Sequence, residues 1–533
     1  MRSTPLASTI LLVTLLLSPG RPTPVHAASQ EEIEAKLKAL EAEIGALRRE
    51  LQDARKPAPA TAPTAPTAPP AGAPPAGGPA SQAPPQSPET APPAVARPSL
   101  LSDFKIGGYG STRFEASDLK NLNNTFTFRR FVLTGDAAIG DSIRALVELE
   151  FERLTELEIE RRRVSEGGAQ GFSQSIEGSD QSELSLEQAW VEFALADWAK
   201  FRAGMLLVPL GRFNLNHDDN RWDLPRRSLV DRGVPVLPST AAWSEVGMGF
   251  VGDIPVPVGK LSYQAYVMNG VTLDSSIETF ARGSGELEAE VEIRPRRGTA
   301  NIDVKRDKAG ALRLAWSPAL GHEVAASAYY GRYTPDFLPS EAVWSWSVDG
   351  KSTFGPFEIE GEYVFTHWDN IRRVANGFAR AVVEKSFESG TAPLNAVIEF
   401  ELAGLATTKH GYWVDLRYRF FPEFLRGTPL GRPFENPQFI ATLRGEQVWM
   451  NGLVQDVEFA GGTLGDIARD NRFVNRVTLG LAYRPTPLVV FQAALERTWT
   501  DRNKSLAGVT NFLPAQRSED TANTFLFGAA FGF

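Results

Sequence analysis

The stretch Thr524-Phe525-Leu526-Phe527-Gly528-Ala529-Ala530-Phe531-Gly532-Phe533 decides how the chain is read. In an extended strand alternate residues share a face. Phe525, Phe527, Ala529, Phe531 and Phe533 therefore line one side, and Gly528 and Gly532 lie on the other. In water such an apolar strand would be an aggregation hazard. As the closing strand of a transmembrane barrel its aromatic face meets lipid and both its edges are paired.

The same texture extends back to Asp103. Short alternating segments are separated by Gly, Pro, Asn and Asp clusters. They predict strands near 103–115, 125–138, 141–163, 183–195, 199–207, 242–252, 258–270 and 309–317. Further strands are predicted near 321–332, 342–350, 354–367, 408–421, 435–450, 472–484, 487–500 and 523–533. Sixteen is an even number, as a closed bacterial barrel requires. Short turns, such as Ile139-Gly140-Asp141 and Arg484-Pro485-Thr486-Pro487, alternate with long connections near 208–241, 271–308 and 368–407. The fold class expected is all-β, a 16-stranded antiparallel transmembrane barrel over 103–533. A soluble β-sandwich is the alternative. It does not explain the terminal strand or the absence of a linker.

Three segments precede the barrel. Residues 1–27 read as a secretory signal peptide: Arg2, an apolar run Leu6 to Leu17, then Val25-His26-Ala27 before the cleavage site. The run is 12 residues long and falls short of the ~20 a spanning helix needs. Over 28–56, Ile33, Leu37, Leu40, Ile44, Leu47 and Leu51 form a heptad seam. The pairs Lys36 and Glu41, Glu43 and Arg48, and Glu50 and Arg55 are opposite in sign, as a parallel coiled coil prefers. A single helix packed on a domain is the alternative. Residues 57–98 carry 15 prolines in 42 positions. Extended as polyproline II they reach on the order of 130 Å at ~3.1 Å per residue.

Composition narrows the function. No Cys occurs among 533 residues, which removes disulfides, thiolate metal sites and cysteine nucleophiles. The net charge of -9 argues against nucleic acid. Of five His, His26 sits in the leader. His322, His367 and His410 have no nucleophile motif beside them, so no enzyme, metal or cofactor is expected. Export without cysteine suits a Gram-negative envelope. The barrel is then expected in the outer membrane, in contact with its lipid, with the N-terminal arm in the periplasm.

A sixteen-stranded barrel can hold an aqueous channel. The connection Val208 to Ala241 carries Arg212, Arg221, Arg226, Arg227 and Arg232 against Asp218, Asp219, Asp223 and Asp231, with Asn214, Asn216 and Asn220 between them. Folded inward, it would form a constriction that binds anions. The alternative is a surface loop whose charges pair among themselves. On the third strand Ile143, Ala145, Val147, Leu149 and Phe151 would face lipid. Arg144, Glu148, Glu150 and Glu152 would face the lumen, joined by Glu156, Glu158 and Glu160 if the alternation continues. Arg129, Arg202 and Arg313 are candidates to oppose these carboxylates.

Phe128-Arg129-Arg130-Phe131-Val132-Leu133-Thr134-Gly135 with Gly140-Asp141 resembles the phosphate-selective porin O/P family. So does Leu186-Glu187-Gln188-Ala189-Trp190-Val191-Glu192-Phe193, with Phe201-Arg202-Ala203-Gly204-Met205 and Val208-Pro209-Leu210-Gly211-Arg212 after it. The resemblance implies a homotrimeric sixteen-stranded porin with inward loops, for phosphate or other anions. It covers the first third of the barrel and the final strand. Glu where an Arg ladder is expected points away from phosphate. Phe527, Phe531 and Phe533 also resemble the signal that outer-membrane barrels present to the barrel-assembly machinery. The leading expectation is passive diffusion of small charged solutes. The alternative is a structural tether, its coiled coil and arm reaching peptidoglycan.

Overall fold

The computed structural model describes residues 103–119, 124–152, 156–166, 169–179, 183–231, 236–239, 242–282, 286–298, 304–388, 395–401, 405–454, 457–460, 463–464, 469–501 and 519–533. The leader, heptad seam and Pro-rich arm lie outside the described residues, as does Arg232.

The strands follow in chain order. β1 (Asp103–Ser117), β2 (Thr125–Ile139) and β3 (Ile143–Glu152) open the wall. A hairpin of β4 (Glu156–Glu166) and β5 (Ala169–Ser179) leaves it. β6 (Glu183–Ala196), β7 (Ala199–Leu207), β8 (Ser244–Pro255) and β9 (Lys260–Met268) resume the wall. β10 (Thr272–Arg282) and β11 (Glu286–Arg296) form part of a separate sheet. β12 (Ala309–Ala319), β13 (His322–Arg332), β14 (Ala342–Phe354) and β15 (Phe357–Trp368) continue the barrel. β16 (Asn395–Glu401) joins β11 in the separate sheet, before β17 (Ala406–Phe420) and β18 (Gln438–Val454) of the wall. β19 (Val457–Ala460) and β20 (Thr463–Leu464) complete that sheet. β21 (Arg469–Thr486), β22 (Val489–Thr500) and β23 (Thr521–Gly532) end the wall.

Sixteen strands pair in a closed antiparallel barrel, and β23 completes it against β1 with Phe527 opposite Phe114 and Phe531 opposite Gly110. The predicted terminal strand is therefore the closing strand. Along it Phe525, Phe527 and Phe531 are exposed while Leu526 and Ala530 are buried. Period-2 alternation repeats around the wall: Leu312, Leu314 and Trp316 point out, Ala311, Arg313 and Ala315 in. Stacked aromatics fringe the outer face at both ends of β14 to β18. Trp344, Trp346, Phe365, His410 and Trp449 lie at the long-loop end, Phe357, Tyr418, Phe420 and Phe439 at the turn end. An apolar belt between aromatic girdles matches a hydrocarbon slab.

Two expectations are corrected here. The predicted third strand, 141–163, is two elements: the wall stops at Glu152, and Glu156, Glu158 and Glu160 belong to the hairpin paired with β5. They are not part of the lumenal wall. A hairpin has the same period of two as a wall strand, so alternation could not mark the exit. The connections 271–308 and 368–407 are not plain loops: they contain three strands of the five-stranded sheet and a helix over Ile371–Glu388, and the other two strands of that sheet lie between β18 and β21. That helix buries Ile371, Val374, Ala375 and Phe378, a spacing that lines one helical face. The turn-end connection between β17 and β18 is also long, with a 3-10 turn at Glu423–Leu425.

Candidate functional site

The segment after β7 runs down the lumen. At its neck Asn214 Nδ2 donates to the carbonyls of Val208 (2.8 Å) and Trp243 (3.1 Å), and Trp243 N donates back to Asn214 Oδ1 (2.8 Å). One amide thus staples both ends of the segment and accounts for a buried Asn. Gly211 turns the chain with φ 75 and starts a single helical turn, Arg212–Leu215. A Cβ built on Gly211 would lie 1.9 Å from Glu362 Oε1, so glycine is needed for both conformation and space. Phe213 N donates to Glu362 Oε2 at 2.8 Å.

The tip, Asp218 to Arg221, reaches the seam between β1 and β23. Ser111 Oγ donates to Asp219 Oδ2 at 2.6 Å, and Arg227, Arg130 and Arg129 approach the same carboxylate at 3.6, 3.8 and 4.0 Å. Burial raises the Asp219 carboxyl, but these three guanidiniums and Ser111 outweigh it and hold it well below the usual range. His217 is buried beside the tip, with Nδ1 2.9 Å from Asn214 O and Nε2 3.3 Å from a Glu187 oxygen. Burial opposes its charge, yet Glu187 and Asp218 raise the imidazole to about 9. Both ring nitrogens then donate.

The returning limb is tied to the far wall. Leu229 N donates to Glu446 (2.9 Å), Arg476 to the Arg227 carbonyl (2.6 Å), and Arg484 to the carbonyls of Asn220 and Trp222 (3.0 Å each). Close approach is possible because the wall carries glycine there: a Cβ at Gly480 would meet Leu224 at 2.3 Å, and one at Gly528 would meet Pro225 at 3.0 Å. Phe213, Trp222 and Trp413 form a cluster with ring centroids 4.6 to 6.0 Å apart, and the Arg444 guanidinium lies 5.3 Å from both indole rings.

The predicted site residues fall as follows. Arg212 pairs with Glu360 (2.5 Å) and Glu323 (2.6 Å), and Arg226 with Glu115 and Glu496. Arg227 pairs with Asp219 and Asp231, Arg221 with Asp218 (2.9 Å). The segment therefore lies inside the barrel, and its charges pair with the wall as well as with each other. Glu150 pairs with Arg130 at 2.6 Å, and Glu148 accepts from Gln188 at 2.5 Å. Arg202 pairs with Glu192 and lies 4.0 Å over the Trp190 ring, while Arg144 pairs with Asp136 near the turn end. Arg313 holds Asp349 at 2.5 and 2.8 Å. The Glu152 backbone sits opposite Arg130, and its side chain lies outside the described residues. Glu148 and Glu150 are thus not a bare acidic wall.

Sequence reasoning passed over Arg130, Glu187, Glu358, Glu360, Asp415, Arg417, Arg444, Glu446 and Arg476. Arg417 binds Asp415 (2.5 Å), Glu358 (2.7 Å) and Glu360, and Arg444 binds Asp415 at 2.6 Å. The signal was present: charges at i and i+2 on a strand whose other face is apolar must face the lumen.

Toward the turn end lies a cavity of about 650 Å³, lined by Arg212, Arg221, Lys351, Arg417, Arg419 and Arg484 against Asp223, Glu358, Glu360 and Glu435, with Asn216, Asn220, Asn436 and Gln438.

Residues 107–336 match the family model described as alginate export. A protein of Aquifex aeolicus (strain VF5), described as uncharacterized, is 26% identical over 167 residues, 31% of this chain and 32% of that one. The chain thus spans about a third of the length of that curated relative. Among solved structures, an anion-selective porin from Comamonas acidovorans is 9% identical with a TM-score of 0.45, covering 81% of this chain and 99% of that one. The outer membrane channel DcaP of Acinetobacter baumannii is 10% identical with a TM-score of 0.41, covering 81% and 97%.

Proposed function

We propose that the chain is a passive outer-membrane channel for small, charged, hydrophilic solutes. Its turn end faces the periplasm, where short turns are placed in such barrels. One observation carries the reading: the outer face is an apolar belt between aromatic girdles, whereas the interior is built from ion pairs such as Arg313 with Asp349 and Arg212 with Glu360. A barrel interior that carries water and ions tolerates that density of charge, whereas a lipid-facing surface would not. Anions, phosphate or a sugar acid of the kind the alginate export description names, suit the surplus of basic groups around the turn-end cavity. The segment 208–231 would act as the constriction. A homotrimer fits the heptad seam Ile33 to Leu51.

Planar-bilayer recording of purified, folded protein tests the channel. Stable conductance steps in threes are expected, with reversal potentials in a KCl gradient on the anion side. Silent bilayers from folded protein would refute it.

A further inference from the structure

The turn-end cavity has an uneven charge distribution that its ion pairs do not cancel. Glu358 is the shared partner of three cations: Arg417 at 2.7 Å, Lys351 at 3.0 Å and Arg419 at 3.3 Å. Its side chain is 4% exposed, while those of Lys351 and Arg419 are 30% and 31% exposed. Across the cavity Arg221 on the segment tip is 57% exposed. Three of the four lining carboxylates, Asp223, Glu358 and Glu360, are buried; Glu435 is exposed, and the cations Lys351, Arg419 and Arg221 also face the space. Asn216, Asn220 and Gln438 add neutral donors on the same lining.

We propose that this cavity is a binding site for a multiply charged oxyanion, held by Lys351 and Arg419 from the wall and Arg221 from the inward segment. Charge-assisted bonds to guanidinium and ammonium select phosphate or carboxylate groups over halide. The site rests on the channel reading only for its direction: a ligand reaches it from the periplasmic side. Because Arg221 belongs to the segment tip and the other two cations to the wall, a bound oxyanion would bridge the two. The same ligand would therefore hold the constriction in place.

The test uses the full chain folded in detergent and in bilayers. Inorganic phosphate and citrate, as separate arms, are titrated by calorimetry at constant ionic strength. Binding of one or both is expected, and the stronger arm distinguishes a phosphate from a carboxylate ligand. Lys351→Gln, Arg419→Gln and Arg221→Gln should each weaken it roughly tenfold. Arg417 still satisfies Glu358 in the first two variants. Lys260→Gln, which removes an exposed turn-end charge paired with Asp253, should leave it unchanged. In bilayers the bound anion should reduce current when added to the turn-end side and much less from the loop side. Absent binding, or binding equal in the three variants and the parent, overturns the site. Binding without conductance would overturn the channel reading and leave the site standing.

Discussion

Replacing Asp219 by Asn should release the inward segment from the barrel seam. The substitution keeps the shape, and Asn Oδ1 can still accept from Ser111 Oγ, 2.6 Å away in the parent. What it removes is one negative charge within 3.6 to 4.0 Å of three guanidiniums. At an effective dielectric near 20 each such pair is worth about 4 kcal/mol before desolvation. Desolvation cancels most of this, and removal of one partner from a buried pair typically costs ~3–5 kcal/mol. Arg130 keeps Glu150 and Glu187, and Arg227 keeps Asp231. The lower end, about 3 kcal/mol, therefore applies. It corresponds to roughly a hundredfold shift in the ratio of docked to released segment. Single-channel recording should show openings of higher conductance about a hundredfold more often than in the parent. Unchanged current together with an unchanged urea midpoint would refute the account of Asp219 as the clamp.

The remaining expectations concern the same assembly. Gly211→Ala should produce a similar high-conductance phenotype, because its Cβ collides with Glu362 and its φ of 75 disfavours alanine. Gly211→Ala combined with Glu362→Ala should recover only part of the parent behaviour; full recovery would show that backbone strain is irrelevant. His217 is raised to about 9 by Glu187 and Asp218. Its contribution is complete below an unfolded value near ~6.5 and is lost as pH rises through about 9. The urea midpoint should accordingly fall between neutral and strongly alkaline pH, and His217→Gln should flatten that part of the profile. Phe527→Arg, mid-strand on the lipid face, should cost ~2–4 kcal/mol in vesicle folding titrations, whereas Phe533→Arg at the rim should cost ~0–1. Equal costs would argue against the placement of the belt.

Much of the wall was legible because lipid and lumen impose opposite demands on neighbouring residues. The strand expected near 309–317 is Ala309–Ala319, and the one near 487–500 is Val489–Thr500. Where the alternation persisted beyond the wall, as from Glu152 into the hairpin at Glu156, pattern alone ran the two together. The helix at Ile371–Glu388 carried its own signal in Ile371, Val374, Ala375 and Phe378, masked by the expectation of a loop. The leader, heptad seam and arm stand as sequence readings.

Sequence by itself determined that the barrel wall has sixteen strands and that the aromatic strand running to Phe533 closes it, because each strand's parity follows from local order. It also marked the segment with Arg212, Arg221, Arg226 and Arg227 as special. The partners of those arginines were beyond its reach. Arg226 meets Glu115 and Glu496, and Arg212 meets Glu323 and Glu360, far away along the chain. Only barrel closure and the depth to which the segment descends bring them together. The sign of the turn-end cavity depends on which side chains are withdrawn and which reach the solvent, a property of burial that no count of charges contains.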